Sequence, residues 1–156
     1  MIGGATISPD GKYRYLLSRE YEDGMFGTVL FVMLNPSTAD ATKDDATIRR
    51  CVGFTKRWGY STLEVVNLFA FRATHPRDLW KADDPVGPDN DVTISDAVRR
   101  AQLIVAAWGV CRYPRAMDVL RVLKPTGKLR VLKFTKEGFP HHPLRLPNDT
   151  RLVAWT

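Results

Sequence analysis

The chain has 156 residues, of which 44% are hydrophobic and 26% charged, values typical of one folded domain and not of a disordered chain or a coiled coil. No apolar run approaches the roughly 18 residues of a membrane span, no signal-like segment opens the chain, and its two cysteines lack metal-binding spacing. The net charge of +6 is a hint of an anionic partner. We expect a monomeric, cytoplasmic domain over residues 1–156, without metal or cofactor.

Predicted strands and helices alternate along the chain. Buried strands are predicted from apolar runs, and helices from apolar residues spaced i, i+3, i+4, i+7. In chain order these are an edge strand or hairpin at 12–17, strand 29–34, helix 48–55, strand 63–66, helix 94–101, strand 103–108, helix 116–123 and strand 129–132. Asp44 or Asp45 would cap the first helix, and Gly59 would end it.

This alternation predicts an α/β fold. Strands 29–34 and 103–108 are almost continuously hydrophobic, which is typical of strands covered on both faces in a parallel sheet. We therefore expect three layers, α/β/α, around a central four-stranded and mainly parallel sheet.

Polar and aromatic residues follow each predicted strand. In an open parallel sheet, ligands bind at the carboxyl ends of the strands. The segments found there are residues 35–40, residues 67–72, Trp108-Gly109 and residues 138–146. Each of them is compatible with ordinary turn or loop chemistry, but together they bring two amides and a tandem histidine to one edge.

The positive charge is concentrated near the C-terminus. Residues 1–98 carry 11 basic and 14 acidic side chains, whereas residues 99–156 carry 12 basic and 3 acidic ones. This imbalance is compatible with a solvated surface and also with a face directed at phosphates.

Short motifs at these strand ends resemble those of the uracil-DNA glycosylase superfamily. The segment Met33-Leu34-Asn35-Pro36-Ser37 looks like the Gly-Ile-Asn-Pro-Gly motif of the mismatch-specific and thymine-DNA glycosylases, with Met33 at its first Gly. The segments similar to later motifs are Val66-Asn67, Trp108-Gly109 and His142-Pro143-Leu144-Arg145-Leu146, the last resembling His-Pro-Ser-Pro-Leu with Leu144 in place of Ser. The resemblance spans roughly residues 28–147 and implies that fold.

The first motif and the segment after it also resemble an uncharacterised bacterial and phage family, domain of unknown function 1643. The residues that carry this resemblance are 35–40, Asp44-Asp45 and 47–51.

The glycosylase resemblance implies DNA as partner and hydrolysis of the N-glycosidic bond of a flipped-out pyrimidine. Asn35 would orient the attacking water, and His142 would donate a hydrogen bond to the departing base. Asp40 is an alternative general base. The base pocket would contain Ser37, Asn67 and Phe69, with Asn67 reading the Watson–Crick edge.

Two further groups would contact the DNA. Leu144, Arg145 and Leu146 would fill the gap left by the flipped nucleotide. Arg49 and Arg50 would hold a phosphate or pair with the acidic residues near them.

The strict uracil enzymes of this superfamily have a bulky Tyr where this chain has Ser37. The small residue implies tolerance of C5-modified pyrimidines, including the hydroxymethylated or glycosylated bases of phage DNA. Two alternatives stay open: a non-catalytic module that binds modified DNA, and an enzyme acting on free nucleosides or nucleotides. Substrate binding by the second would depend little on salt.

Overall fold

One sheet runs through the whole molecule. The computed structural model describes residues 1–156, except for the side chain of residue 76. In the described chain the sheet has seven strands: β1 (Ile2–Ile7), β2 (Arg14–Glu20), β3 (Met25–Met33), β4 (Tyr60–Asn67), β5 (Leu103–Ala106), β6 (Leu129–Val131) and β7 (Val153–Ala154). Their order across the sheet is β1-β2-β4-β3-β5-β6-β7.

The four predicted buried strands form the parallel centre of this sheet. β3 pairs in parallel with β4 and with β5, and β5 pairs in parallel with β6. The expected edge hairpin is also present, because β1 pairs with β2 and β2 runs antiparallel to β4. The prediction of a four-stranded sheet is wrong, since this hairpin and the antiparallel β7 extend it to seven strands.

Three α-helices connect the strands: α1 (Ala46–Arg57), α2 (Asn90–Arg100) and α3 (Arg115–Leu123). Of the two candidate caps for α1, Asp45 is the one used, because its side chain accepts a hydrogen bond from the backbone N–H of Ile48. The helix ends at Arg57, and Gly59 follows with a left-handed φ of +84° that most residues avoid. Short 3-10 helices span Pro76–Lys81 and Lys124–Thr126. No helix in the described chain is long and apolar enough to cross a membrane.

Alternate residues of β3 face two separate hydrophobic cores. Val29, Phe31 and Met33 pack with the buried face of α1, whereas Leu30 and Val32 pack with the buried faces of α2 and α3. Because successive side chains of a strand point to opposite faces, helices cover both sides of the sheet. This double covering explains the continuous hydrophobic run of β3 and directs ligand binding to the ends of the strands.

Candidate functional site

The carboxyl ends of β3 and β4 lie side by side. Met33 is paired with Asn67, and the ladder continues past both strands, with Leu68 N–H donating to the Met33 carbonyl at 2.9 Å. The register therefore brings the segment that begins at Asn35 next to Asn67.

A cavity of about 220 Å³ opens at this edge. It contains residues from the ends of β3 and β4, from the start of α1, from β2 and from the segments after β5 and β6. Its lining consists of Arg14, Met33, Leu34, Asn35, Ser37, Asp45, Thr47, Ile48, Val65, Asn67, Ala73, Thr74, Trp108 and His142. Four of the predicted site residues, Asn35, Ser37, Asn67 and His142, are thus brought together.

The Asn35 amide has a fixed orientation. Its Nδ2 donates to the backbone carbonyls of Pro36 and Ala73, both at 3.1 Å. Since a carbonyl oxygen only accepts, the nitrogen must face these two groups. The Oδ1 accepts no hydrogen bond from the described residues and is available to a water or a ligand.

Asn67 is buried, with 1% of its surface exposed, and neither Nδ2 nor Oδ1 has a hydrogen-bond partner among the described residues. A buried amide left unpaired costs about 1–3 kcal/mol for each group. The backbone around it is held firmly, because Asn90 Nδ2 donates to the carbonyls of Asn67 and Leu68 at 2.9 and 3.2 Å. Asn67 therefore offers a donor and an acceptor, side by side, in the wall of the cavity.

His142 is half-buried and its imidazole is favoured in the neutral form. Burial lowers its pKa, the neighbouring His141 lowers it further, and Asp45 opposes both effects. Its Nδ1 accepts a hydrogen bond from the Leu144 N–H at 3.1 Å, so the proton of the neutral ring lies on Nε2. The cavity thus has a neutral Nε2–H donor.

Asp45 is the carboxylate of this cavity, and sequence reasoning gave it only a capping role. Its Oδ1 accepts from Ile48 N–H at 2.8 Å, while its Oδ2 accepts from the Ser37 hydroxyl at 2.5 Å. The two hydrogen bonds tie the loop after β3 to the first turn of α1. Among the described side chains, no three His, Cys, Asp or Glu residues group as a metal site would require.

Arg14 is a cavity residue that sequence reasoning missed. It opens β2, is 2% exposed, and donates from Nη1 to the Ala39 carbonyl at 2.9 Å, whereas its buried Nε has no partner. Burial lowers its pKa to about 10, so it stays charged at neutral pH. Among the described side chains it has no ion pair. Arg14 lies in the tyrosine-rich edge hairpin, where no motif in the sequence indicates a residue of the cavity.

Two of the residues predicted to be catalytic or to form the base pocket lie outside the cavity lining. Asp40 forms a turn, since its Oδ1 accepts from the backbone N–H groups of Thr42 and Lys43 at 2.9 and 2.8 Å. These hydrogen bonds lower its pKa, which makes it a weaker base. Phe69 is buried and packs edge-on against Trp80 and Tyr113.

The predicted DNA-contacting loop is anchored to α1. Arg50 donates to the Leu146 carbonyl and to Asn148 Oδ1, and Leu146 packs beside the core that faces α1. Arg145 is exposed, with a left-handed φ of +68° that is uncommon for a residue with a side chain. Leu144 is half-buried.

Arg49 is exposed, and in the described chain the polar contact of its side chain is a 3.4 Å hydrogen bond to the Asp44 carbonyl. Of the two alternatives for Arg49 and Arg50, an ion pair with the nearby acidic residues is not formed among the described side chains. The partner of Asp44 is the fully buried Arg19, at 2.8 Å.

Comparison with known proteins identifies the family of the chain. A family model described as "Protein of unknown function (DUF1643)" matches residues 14–144, more than four-fifths of the chain. No curated protein and no solved structure matches. The matched region contains the whole cavity, from Arg14 to His142. The chain therefore belongs to the DUF1643 family, a family of proteins of unknown function.

Proposed function

We propose that this protein is a DNA glycosylase that removes a flipped-out modified or mismatched pyrimidine and leaves an abasic site. The observation that carries the proposal is the unpartnered amide of Asn67 in the wall of a cavity that also contains Asn35 and His142. The proposal includes the uracil-DNA glycosylase type of fold that the motifs resemble.

The size of the cavity supports a single ring as the bound group. Pockets that bind drug-sized ligands have volumes of roughly 300–1,000 Å³. The cavity of about 220 Å³ is smaller and fits a pyrimidine better than a whole nucleotide. Asn67 would pair its Nδ2 and Oδ1 with the Watson–Crick edge of that ring, which satisfies both buried groups.

The reaction breaks the bond between C1′ of the sugar and the ring nitrogen of the base, and the bonding electrons leave with the base. Asn35 Oδ1 would accept a hydrogen bond from the attacking water and hold it below C1′. The Nε2–H of His142 would donate to the base oxygen on which negative charge develops. The water oxygen bonds to C1′.

The water must also lose a proton. Asp45 suits this role better than Asp40, because Asp45 lines the cavity whereas Asp40 is engaged in a turn. Each Asp45 oxygen accepts one hydrogen bond and keeps a second lone pair for the proton.

Ser37 bears on which base is accepted. Its small side chain lines the cavity and donates its hydroxyl to Asp45, which leaves space beside the ring for a C5 substituent. A glycosyl group would have to extend through the mouth of the cavity, because about 220 Å³ does not hold a sugar as well as the ring.

The test uses DNA strands that each contain one uracil, mismatched thymine, 5-hydroxymethylcytosine or glycosylated 5-hydroxymethylcytosine, followed by alkaline cleavage at abasic sites. At least one strand should be cleaved, and Asn35→Ala and His142→Ala should each slow the reaction strongly.

The matched control is Phe26→Ala, because Phe26 is 93% exposed at the opposite end of β3 and should not affect the rate. Binding of these strands without cleavage of any of them would contradict the proposal and identify a binding module. Cleavage of free nucleosides alone, without salt dependence, would identify a nucleoside hydrolase instead.

A further inference from the structure

Beside the cavity lies a pair of exposed aromatic rings that the proposed chemistry does not use. Trp80 is 42% exposed and Tyr113 is 49% exposed. Their ring centroids are 4.1 Å apart and their planes are inclined by 34°. Aromatic rings of this size are usually buried in a folded domain. The exposure of both rings therefore indicates a surface that contacts a partner.

The pair is supported from inside the protein. Phe69 is 4% exposed and meets both rings edge-on, with centroid distances of 5.1 Å to Trp80 and 6.5 Å to Tyr113. We call Trp80, Tyr113 and the supporting Phe69 the aromatic platform. Because packing holds the two outer rings in place, they lose little conformational freedom when a flat ligand stacks on them.

The platform lies close to the main cavity. A groove of about 240 Å³ lies along it, lined by Leu34, Trp80, Val110, Cys111, Arg112 and Tyr113. Leu34 also lines the main cavity, so the groove and the cavity share this residue. A chain whose flipped base occupies the cavity can therefore place its neighbouring bases over the platform.

The charge at the rim of this groove favours a nucleic acid, rather than an apolar protein surface, as the ligand of the platform. Arg112 is largely exposed, and its guanidinium lies 5.1 Å from the centre of the Phe139 ring. Its one carboxylate partner, Glu137, is also largely exposed, so the pair is weak and is easily exchanged for a phosphate. Residues 99–156, to which Tyr113 and Arg112 belong, hold 12 basic and only 3 acidic side chains.

We propose that the aromatic platform stacks the unpaired bases that flank the flipped nucleotide, so that the protein binds single-stranded DNA in preference to duplex. This inference rests on the proposed function for the occupant of the cavity. In a duplex the base faces are covered by their neighbours, whereas in a single strand they are free to stack on aromatic rings. Aromatic rings beside basic groups are the usual means of binding single strands without sequence preference.

The test measures the affinity of the full chain for a fluorescent oligothymidylate that contains no modified base, and for a duplex of the same length. Trp80→Ala and Tyr113→Ala should each weaken oligothymidylate binding roughly tenfold or more. Duplex affinity should change much less. Tyr113→Phe should bind like the wild type, because it retains the ring, and so should Phe26→Ala, which removes an exposed ring far from the platform.

Thermal unfolding of each variant checks that the chain is folded, and Tyr113→Ala keeps the test valid if Trp80→Ala is unstable. Unchanged oligothymidylate affinity in both alanine variants would overturn the inference. So would a wild-type dimer that Trp80→Ala dissociates without affecting DNA binding, since the platform would then join two copies of the chain.

The two proposals fail separately. If oligothymidylate binding depends on Trp80 but no base is ever released, the proposal that the platform stacks bases is supported and the glycosylase proposal is wrong. If a Trp80→Ala variant releases bases normally and has unchanged DNA affinity, the glycosylase proposal is supported and the stacking proposal is wrong.

Discussion

Ser37 donates its hydroxyl hydrogen to Oδ2 of Asp45 at 2.5 Å, and the other oxygen of that carboxylate caps α1 through the N–H of Ile48. One carboxylate thus joins the loop after β3 to the helix that follows it. Because both residues line the cavity, this pair couples the shape of the site to the start of the helix.

The Ser37–Asp45 pair predicts a measurable coupling in stability. Ser37→Ala should lower the free energy of unfolding by about 1 kcal/mol through the lost hydrogen bond. Asp45→Ala should lower it by about 1–2 kcal/mol, because it removes the helix cap as well. Urea unfolding of the single and double variants should give a double mutant that is less destabilised than the sum. Strict additivity would mean that the two side chains do not interact.

His142 predicts a loss of stability in mild acid. Its pKa in the folded protein lies below the unfolded value of about 6.5, so the unfolded chain binds the proton first as the pH falls. The contribution of His142 to the free energy of unfolding should therefore be fully present above about pH 6.5. It should decline as the pH drops from there towards the lowered pKa.

The measurement is the melting temperature of the wild type and of His142→Gln between about pH 7.5 and pH 5.5. The wild type should lose more stability than the variant over this window. Parallel curves would show that the pKa of His142 is the same in the folded and unfolded states.

Arg14 predicts a substitution that spares folding and impairs the site. Arg14→Met removes a buried charge that has no carboxylate partner, but it also leaves the buried Ala39 carbonyl without its donor. The variant should therefore lose about 1–3 kcal/mol of unfolding free energy and still fold. We expect the unpartnered Nε of Arg14 to donate to the bound base, because Arg14 lines the cavity. Without that hydrogen bond, single-turnover base excision should fall roughly tenfold to a hundredfold. A normal rate would mean that Arg14 does not contact the substrate.

Arg49 and Arg50 are neighbours in sequence with different expected effects. Arg49 is exposed, so Arg49→Ala should weaken DNA binding and lower the slope of log affinity against log salt by about 1. Arg50 anchors residues 146–148, so Arg50→Ala should speed hydrogen exchange in that loop. Equal exchange rates in the Arg50 variant and the wild type would show that the loop does not depend on this side chain.

Periodicity predicted most of the fold, and strand-end chemistry predicted four of the residues that line the candidate cavity. The runs that became β3, β4, β5 and β6 are apolar because helices cover both faces, so they were visible in the sequence. β1 is half-exposed and contains two glycines, and β7 has only two residues, so neither leaves a hydrophobic pattern.

The residue that the sequence missed, Arg14, and the one that it misplaced, Phe69, have positions that depend on tertiary contacts. Arg14 reaches the cavity only because β2 pairs with β4, a contact between distant segments of the chain. Phe69 follows β4 like a site residue, but its ring turns to the α2–α3 side of the sheet, where it supports the aromatic platform.

Base excision is tested most directly by mass spectrometry of the products formed from a modified-pyrimidine strand in water enriched in ¹⁸O. The free base should be released without label, and one ¹⁸O atom should enter the abasic sugar at C1′. Both products should form much more slowly with Asn35→Ala and at the wild-type rate with Phe26→Ala. Absence of a free base from every modified or mismatched strand, or release that continues unchanged in Asn35→Ala, would contradict the glycosylase proposal.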